Sequence, residues 1–144
     1  MKIILGIAVI VAGLICWIGQ LLSFYAPATA NQLGLCETEG EMDPVLFLIE
    51  TKANGLTDVA LTWMLPLSGL LMILDVSGWP ILALIGGGVY LYFSSIVVLN
   101  RVFLKRHGRN IGKASSEYTA YVLAFIWVAS AVAMITLAIR EISA

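Results

Sequence analysis

The sequence predicts an all-α integral membrane protein, a four-helix bundle, and three observations carry that expectation. Hydrophobic residues make up 60% of the 144-residue chain and charged residues 12%, about half the charged share of an average soluble domain. Mean hydropathy is +0.97, so there is more apolar surface than a core of this size can bury, and lipid has to act as the solvent. Four apolar runs, at residues 3–25, 56–74, 81–99 and 118–139, are each long enough to cross about 30 Å of hydrocarbon as a helix. Only Asp75-Val76-Ser77-Gly78-Trp79-Pro80 joins the second run to the third, which leaves an antiparallel hairpin as their arrangement.

The first run follows Met1-Lys2. Ala28-Thr29-Ala30 has the small-x-small form of a leader-peptide cleavage site, but the apolar stretch is longer than a leader needs, so a span is expected. Gly6, Gly13, Trp17, Gln20 and Phe24 share one helical face, and Ala12, Cys16, Gly19 and Ser23 share the next. Small residues let a second backbone approach closely in lipid, where dispersion holds helices together. Gln20 is the one strongly polar side chain of this run and is expected to face a partner helix.

Residues 26–55 read as an acidic loop. Glu37, Glu39, Glu41 and Asp43 invite comparison with a calcium loop, but the positions that would need Gly and Glu hold Met42 and Leu48. An exposed, solvated acidic loop is the expectation, with no metal site. Asp43-Pro44 is a helix start, Asp as N-cap and Pro where a missing N–H costs nothing. The apolar residues that follow suggest a short interfacial helix before the second span. It would stop at Asn54-Gly55, with Thr57 capping a new helix, since ~30 residues at ~1.5 Å each overshoot the bilayer.

Within the second span Thr51, Asn54, Asp58, Thr62, Leu65 and Gly69 fall on one face, a polar stripe that includes an acid. An intramembrane carboxylate is a functional candidate because leaving it ionised and unpaired in hydrocarbon is expensive. The competing reading makes Asp58 a helix-start residue favoured by the dipole, and its place in the first turn of the span supports that. Pro66 predicts a mid-span kink.

In the third span Trp79 suits an interfacial anchor, and Ala83, Gly87, Tyr90, Ser94 and Arg101 share a face. Gly86-Gly87-Gly88 lacks the following Lys-Ser/Thr of a phosphate loop and reads as a site of close helix contact. Residues 100–117 form a basic loop, with Arg101, Lys105, Arg106, Arg109 and Lys113, where anionic lipid could bind. The last span presents Ala120, Ala124, Trp127, Ala131 and Ala138 on one face. The chain is read as one membrane domain. Its two long loops carry opposite charge: five acids against Lys52 give −4, and five bases against Glu117 give +4. An even number of spans between them puts both on one side of the membrane, so they are expected to pair.

No activity is legible in these residues. A single histidine, His107, excludes bis-histidine haem, and Cys16 and Cys36 form no metal or redox motif, so no cofactor, catalytic set or metal site is expected. The formal net charge of −1 gives no attraction for nucleic acid. Drug exporters of this size need a carboxylate deep in the first span, where Gln20 is the nearest substitute, and disulfide-generating membrane enzymes need paired loop cysteines. Three readings remain. The first is a non-enzymatic structural, accessory or partner-binding protein that meets a second copy or another membrane protein through small-residue faces. The second is a small cation- or proton-coupled transporter or channel around Asp58, Thr62 and Gln20. The third is a membrane enzyme or quinone-binding subunit using Tyr90, Trp63 or Glu50. Six of the eight Lys and Arg residues lie on the side of the two long loops, so the positive-inside rule places those loops in the cytoplasm, the membrane being read as that of a prokaryotic cell.

Overall fold

The structure, a computed structural model, describes residues 2–143. It is an all-α membrane protein in which four helices are long and apolar enough to span a bilayer. They are α1 (Lys2–Tyr25), α3 (the helical run Pro44–Ile73), α4 (Trp79–Arg106) and α5 (Ala114–Ile142), with a short α2 (Pro27–Gln32) after the first. Successive spans run antiparallel: α1 packs on α3, α3 on α4 and α4 on α5. Both described ends of the chain lie at one end of the bundle, where the Lys2 ammonium meets Glu141 at 2.9 Å and sits 5.6 Å above the Trp79 ring. The connections 26–43 and 107–113 lie at the other.

Glycine governs the close approaches. A Cβ on Gly6 would fall 2.6 Å from Ile73 Cγ1, one on Gly13 2.7 Å from Pro66 Cδ, and one on Gly86 2.7 Å from the Leu65 backbone nitrogen. These contacts hold the half of the bundle near the termini, where Val9, Leu65, Met72, Ala83, Ala131, Met134 and Ala138 form a continuous buried core. The inward faces expected for α4 and α5 are the buried ones, except that Ala120 is only half-buried, because a 3.6-residue period is local information.

Several expectations need correction. α3 does not stop at Asn54-Gly55. Both residues have right-handed helical backbone, Asn54 as the last residue of the π-type turns at Ile49–Asn54 and Gly55 as the first of the α-helical stretch after them, and the Thr57 hydroxyl donates back to Ala53 O instead of capping a new helix. Trp79 is 2% exposed and packs inside the bundle under Lys2, so it is not a lipid-facing anchor. The supposed basic loop is mostly helical, since α4 runs to Arg106 and α5 begins at Ala114. Nor is the acidic segment a plain solvated loop: α2 and a 3-10 turn at Glu39–Glu41 structure it, and Glu37 and Asp43 are buried. Their burial follows from ion pairs that composition alone does not place.

The glycine contacts make a paired prediction. Gly86→Ala presses a methyl group against rigid backbone and should destabilise by about 1–3 kcal/mol, the usual cost of overpacking. Gly88→Ala meets nothing within 4 Å and should melt like the parent in detergent micelles. Equal melting temperatures for the two variants would contradict this packing.

Candidate functional site

Pro66 has no N–H, so the carbonyl of Thr62, one turn earlier, loses its helical donor. The Tyr90 hydroxyl stands 2.9 Å from that carbonyl and 3.2 Å from Gly13 O, and Tyr90 itself is 0% exposed. One side chain of α4 thereby meets the backbones of α3 and α1 at the level where α3 is broken at Thr62-Trp63. Trp17 Nε1 donates to Val59 O and Trp127 Nε1 to Ala12 O, tying α1 to α3 and α5 at neighbouring levels.

On the loop side of this knot the packing opens into a cavity of ≈ 140 Å³. Its floor is set by register, as the residue of each helix nearest Tyr90: Ile15 and Cys16 from α1, Asp58 from α3, Phe93 from α4 and Trp127 from α5. Gln20, Thr51, Asn54 and Thr119 contribute polar walls. Gly19 leaves one wall open, since a Cβ there would meet nothing within 4 Å. Cys36, Glu37, Met42 and Ile111 form the roof.

Asp58 is 8% exposed, and its Oδ2 has no hydrogen-bond partner among the described residues. It caps no helix and takes part in none of the ion pairs found, so the helix-start reading does not describe it. Ser94 Oγ is also buried with no hydrogen-bond partner among the described residues. By the Tyr90–Thr62 register, Ser94 lies level with Asp58, each one helical turn nearer the loops. Of the other expected site residues, Gln20 and Glu50 share the cavity with Asp58, whereas the Thr62 hydroxyl donates to Asp58 O and Tyr90 is committed to the knot below.

Glu50 does not stand free in the cavity. Its carboxylate meets Arg101 Nη1 at 2.6 Å and Nη2 at 3.0 Å, and Arg101 also donates to Val97 O. Removing one partner of such a largely buried pair typically costs ~3–5 kcal/mol, because the other charge is left unpaired. On an α-helical wheel Glu50 lies about 80° from Asp58. The wider π-type turns at Ile49–Asn54 close that angle and bring both acids to one face. A uniform helical period could not have found this.

The roof is a clasp between the two connections. Lys113 Nζ lies 2.7 Å from Glu41 and 3.8 Å from Glu37, Arg109 Nε 3.4 Å from Asp43, and the Asp43 N–H donates to Asn110 O at 2.7 Å. Glu37 Oε1 also accepts the Lys113 N–H. Gly112 has φ +94°, and a Cβ there would strike the Glu37 side chain at 2.8 Å, so glycine is needed on both counts. Beneath the clasp Met42, Leu46 and Ile111 form a small apolar cluster. Lys105 pairs with Glu117, so among the five bases read as a lipid-binding patch, Arg101, Lys105, Arg109 and Lys113 all face carboxylates of the chain itself. Among the described residues no three His, Cys, Asp or Glu side chains gather closely enough to hold a metal ion.

Clasp electrostatics set a pH window. The Lys113 ammonium, with the Thr38 backbone N–H, lowers the Glu41 carboxyl from 4.5 to about 2, and Glu41 in turn raises Lys113 above 10.5. A lowered acid contributes stability that is present above its unfolded value and lost as pH falls through the folded one, and a raised base does the reverse. Docking should therefore hold between pH 4.5 and 10.5 and loosen on either side of that window. Spin labels at E39C and H107C in nanodiscs should report one narrow distance at neutral pH that broadens as pH falls toward 2. A distribution unchanged across that fall would mean that Glu41–Lys113 does not hold the roof.

Compared with known proteins, the chain matches no family model, no curated protein and no solved structure.

Proposed function

We propose that this small multi-pass membrane protein takes a small cation, or a proton, into the cavity beneath its loops, with Asp58 as the charged group that receives it. One observation carries the reading: a carboxylate on the cavity floor whose Oδ2 has no hydrogen-bond partner among the described residues. Ionised and unpaired, such a group is expensive to hold in a bilayer protein, and a bound cation or proton removes that cost. The neighbouring ion pair favours the same assignment, since Arg101 is engaged by Glu50 and leaves Asp58 as an unbalanced negative charge.

The structural or partner-binding reading rests on small-residue faces, and those faces are largely used inside the chain, Gly6, Gly13, Gly69, Gly86 and Gly87 each meeting a neighbouring helix. The enzyme or quinone reading has less behind it. Trp63 points outward with its indole N–H on Ala60 O, and Glu50 is held by Arg101. Packing below Tyr90 closes the cavity toward the termini, so the geometry fits a binding site or one end state of a carrier better than a continuous pore.

The test is direct titration of the purified protein in nanodiscs with sodium, potassium and tetramethylammonium chlorides by calorimetry. At least one cation should bind saturably. Asp58→Asn, close in shape to the parent but without the titrating charge, should weaken that binding by tenfold or more, and Gly19→Leu, which fills the open wall, should also weaken it. Binding untouched by Asp58→Asn would overturn the reading, and no saturable binding of any of the three would overturn its cation form, leaving the proton form to stand or fall on whether Asp58→Asn abolishes proton uptake by the protein.

Orientation belongs to the same proposal. Lys52, Arg101, Lys105, Arg106, Arg109 and Lys113 lie on the cavity side against Lys2 and Arg140 on the other, and by the positive-inside rule this favours a cavity mouth facing the cytoplasm of a prokaryotic cell. Fusion of a periplasm-active reporter to the C-terminus should give activity, and a reporter active only in the cytoplasm would reverse the assignment.

A further inference from the structure

Resting on the cation reading of Asp58, we propose that the cavity is built for a small organic ammonium ion and not for an inorganic one. The floor combines one carboxylate with two aromatic rings. Phe93 and Trp127 lie 5.2 Å apart between ring centroids with an interplanar angle of 51°, and both line the cavity at the level of Asp58. The Trp127 N–H is spent on Ala12 O, so the indole brings to the cavity lining an aromatic ring and not a free donor that would repel a cation. A cation over such faces is attracted by the ring quadrupole, most strongly where water is excluded.

Size points the same way. At ≈ 140 Å³ the cavity is close to the volume, about 150 Å³, known to accommodate benzene, so it suits a solute of roughly six non-hydrogen atoms. A bare metal ion would leave most of that space empty. It would also find few oxygens on a floor whose remaining members are Ile15, Cys16, Phe93 and Trp127, whereas hard cations demand a shell of six or more oxygen ligands. An alkylammonium makes the opposite demand: its methyl groups need apolar and aromatic contact, and its charge needs one unpaired carboxylate. Arg101, the one base among the described residues that line the cavity, is held by Glu50 near the roof and does not oppose a cation at the floor.

The experiment compares four probes on the intact protein in nanodiscs at constant ionic strength: tetramethylammonium, tert-butanol as its uncharged counterpart of similar size, sodium and potassium. Tetramethylammonium should bind at least tenfold more tightly than either metal ion, and tert-butanol should not bind measurably. Phe93→Leu keeps apolar bulk but removes the π face, and should weaken tetramethylammonium about tenfold while leaving the inorganic ions unchanged. Thermal melting of each variant checks that it is folded, and Phe93→Tyr, which restores a ring, should recover binding if loss of the ring was the cause. Sodium or potassium binding through Asp58 with no preference for tetramethylammonium would overturn the organic-ammonium proposal and leave the cation reading standing. Equal binding of tert-butanol would overturn it too, by showing that the charge is not recognised. No binding by any cation would remove both.

Discussion

Pro66 deprives the Thr62 carbonyl of its helical donor in a medium that offers no water to replace it, and the rest of the bundle is arranged around the repair. The Tyr90 O–H, from α4, donates in place of the missing N–H, and because the same hydroxyl lies against Gly13 O, the repair also sets how closely α1 may approach. Gly13 must be small for that approach, since the Pro66 ring occupies the place a side chain would take. Three helices are thereby fixed in height relative to one another by a single side chain. In lipid an unsatisfied carbonyl costs several kcal/mol, so this register is strongly held.

That register divides the molecule. Toward the termini, glycine and alanine faces close on Leu65, Met72 and Met134 and leave little space. Toward the loops the side chains change to Gln20, Thr51, Asn54, Asp58 and the Glu50–Arg101 pair, and the packing opens. Polar groups are tolerated there because a roof of paired charges covers them. The roof owes its position to Gly112, whose left-handed backbone lets Glu37 turn inward under Lys113.

Much of this was legible in residue order, and what was legible was local. Apolar length predicts the four spans, the 3.6-residue period predicts the buried faces of α4 and α5, and Asp43-Pro44 predicts the start of α3, where Asp43 Oδ1 accepts from Val45 and Leu46 N–H groups. Opposite loop charge predicts the clasp. The misreadings share a cause: each depended on a partner distant in sequence. Trp79 looks like a lipid anchor until Lys2, from the other end of the chain, is placed above it. Asn54-Gly55 looks like a helix stop, but Gly55 packs against the Phe24 and Gln20 region of α1, where any side chain would be tight, and Lys52 reaches Phe24 O at the end of that helix. Asp58 as a candidate was legible from its place on a polar stripe within an apolar span. Its lack of a partner was not, because that depends on where every other donor in the bundle points.

The π-type turns at Ile49–Asn54 carry a consequence for how chain length maps onto this fold. A helix acquires such turns when one more residue is fitted into it than α geometry accommodates. Removing a single residue from Ile49–Asn54 would return the run to α geometry without shortening the membrane-crossing part, because everything from Gly55 onward is held in place by the Tyr90–Thr62 contact. With one residue fewer between them, Glu50 and Asp58 would stand seven α-helical steps apart, about 700° and so about 20° short of two full turns, and Glu50 would keep to the face that meets Arg101. The stretch is therefore the place in α3 where a one-residue change in length is taken up locally, with the acids of the ceiling and the floor of the cavity both kept to one face.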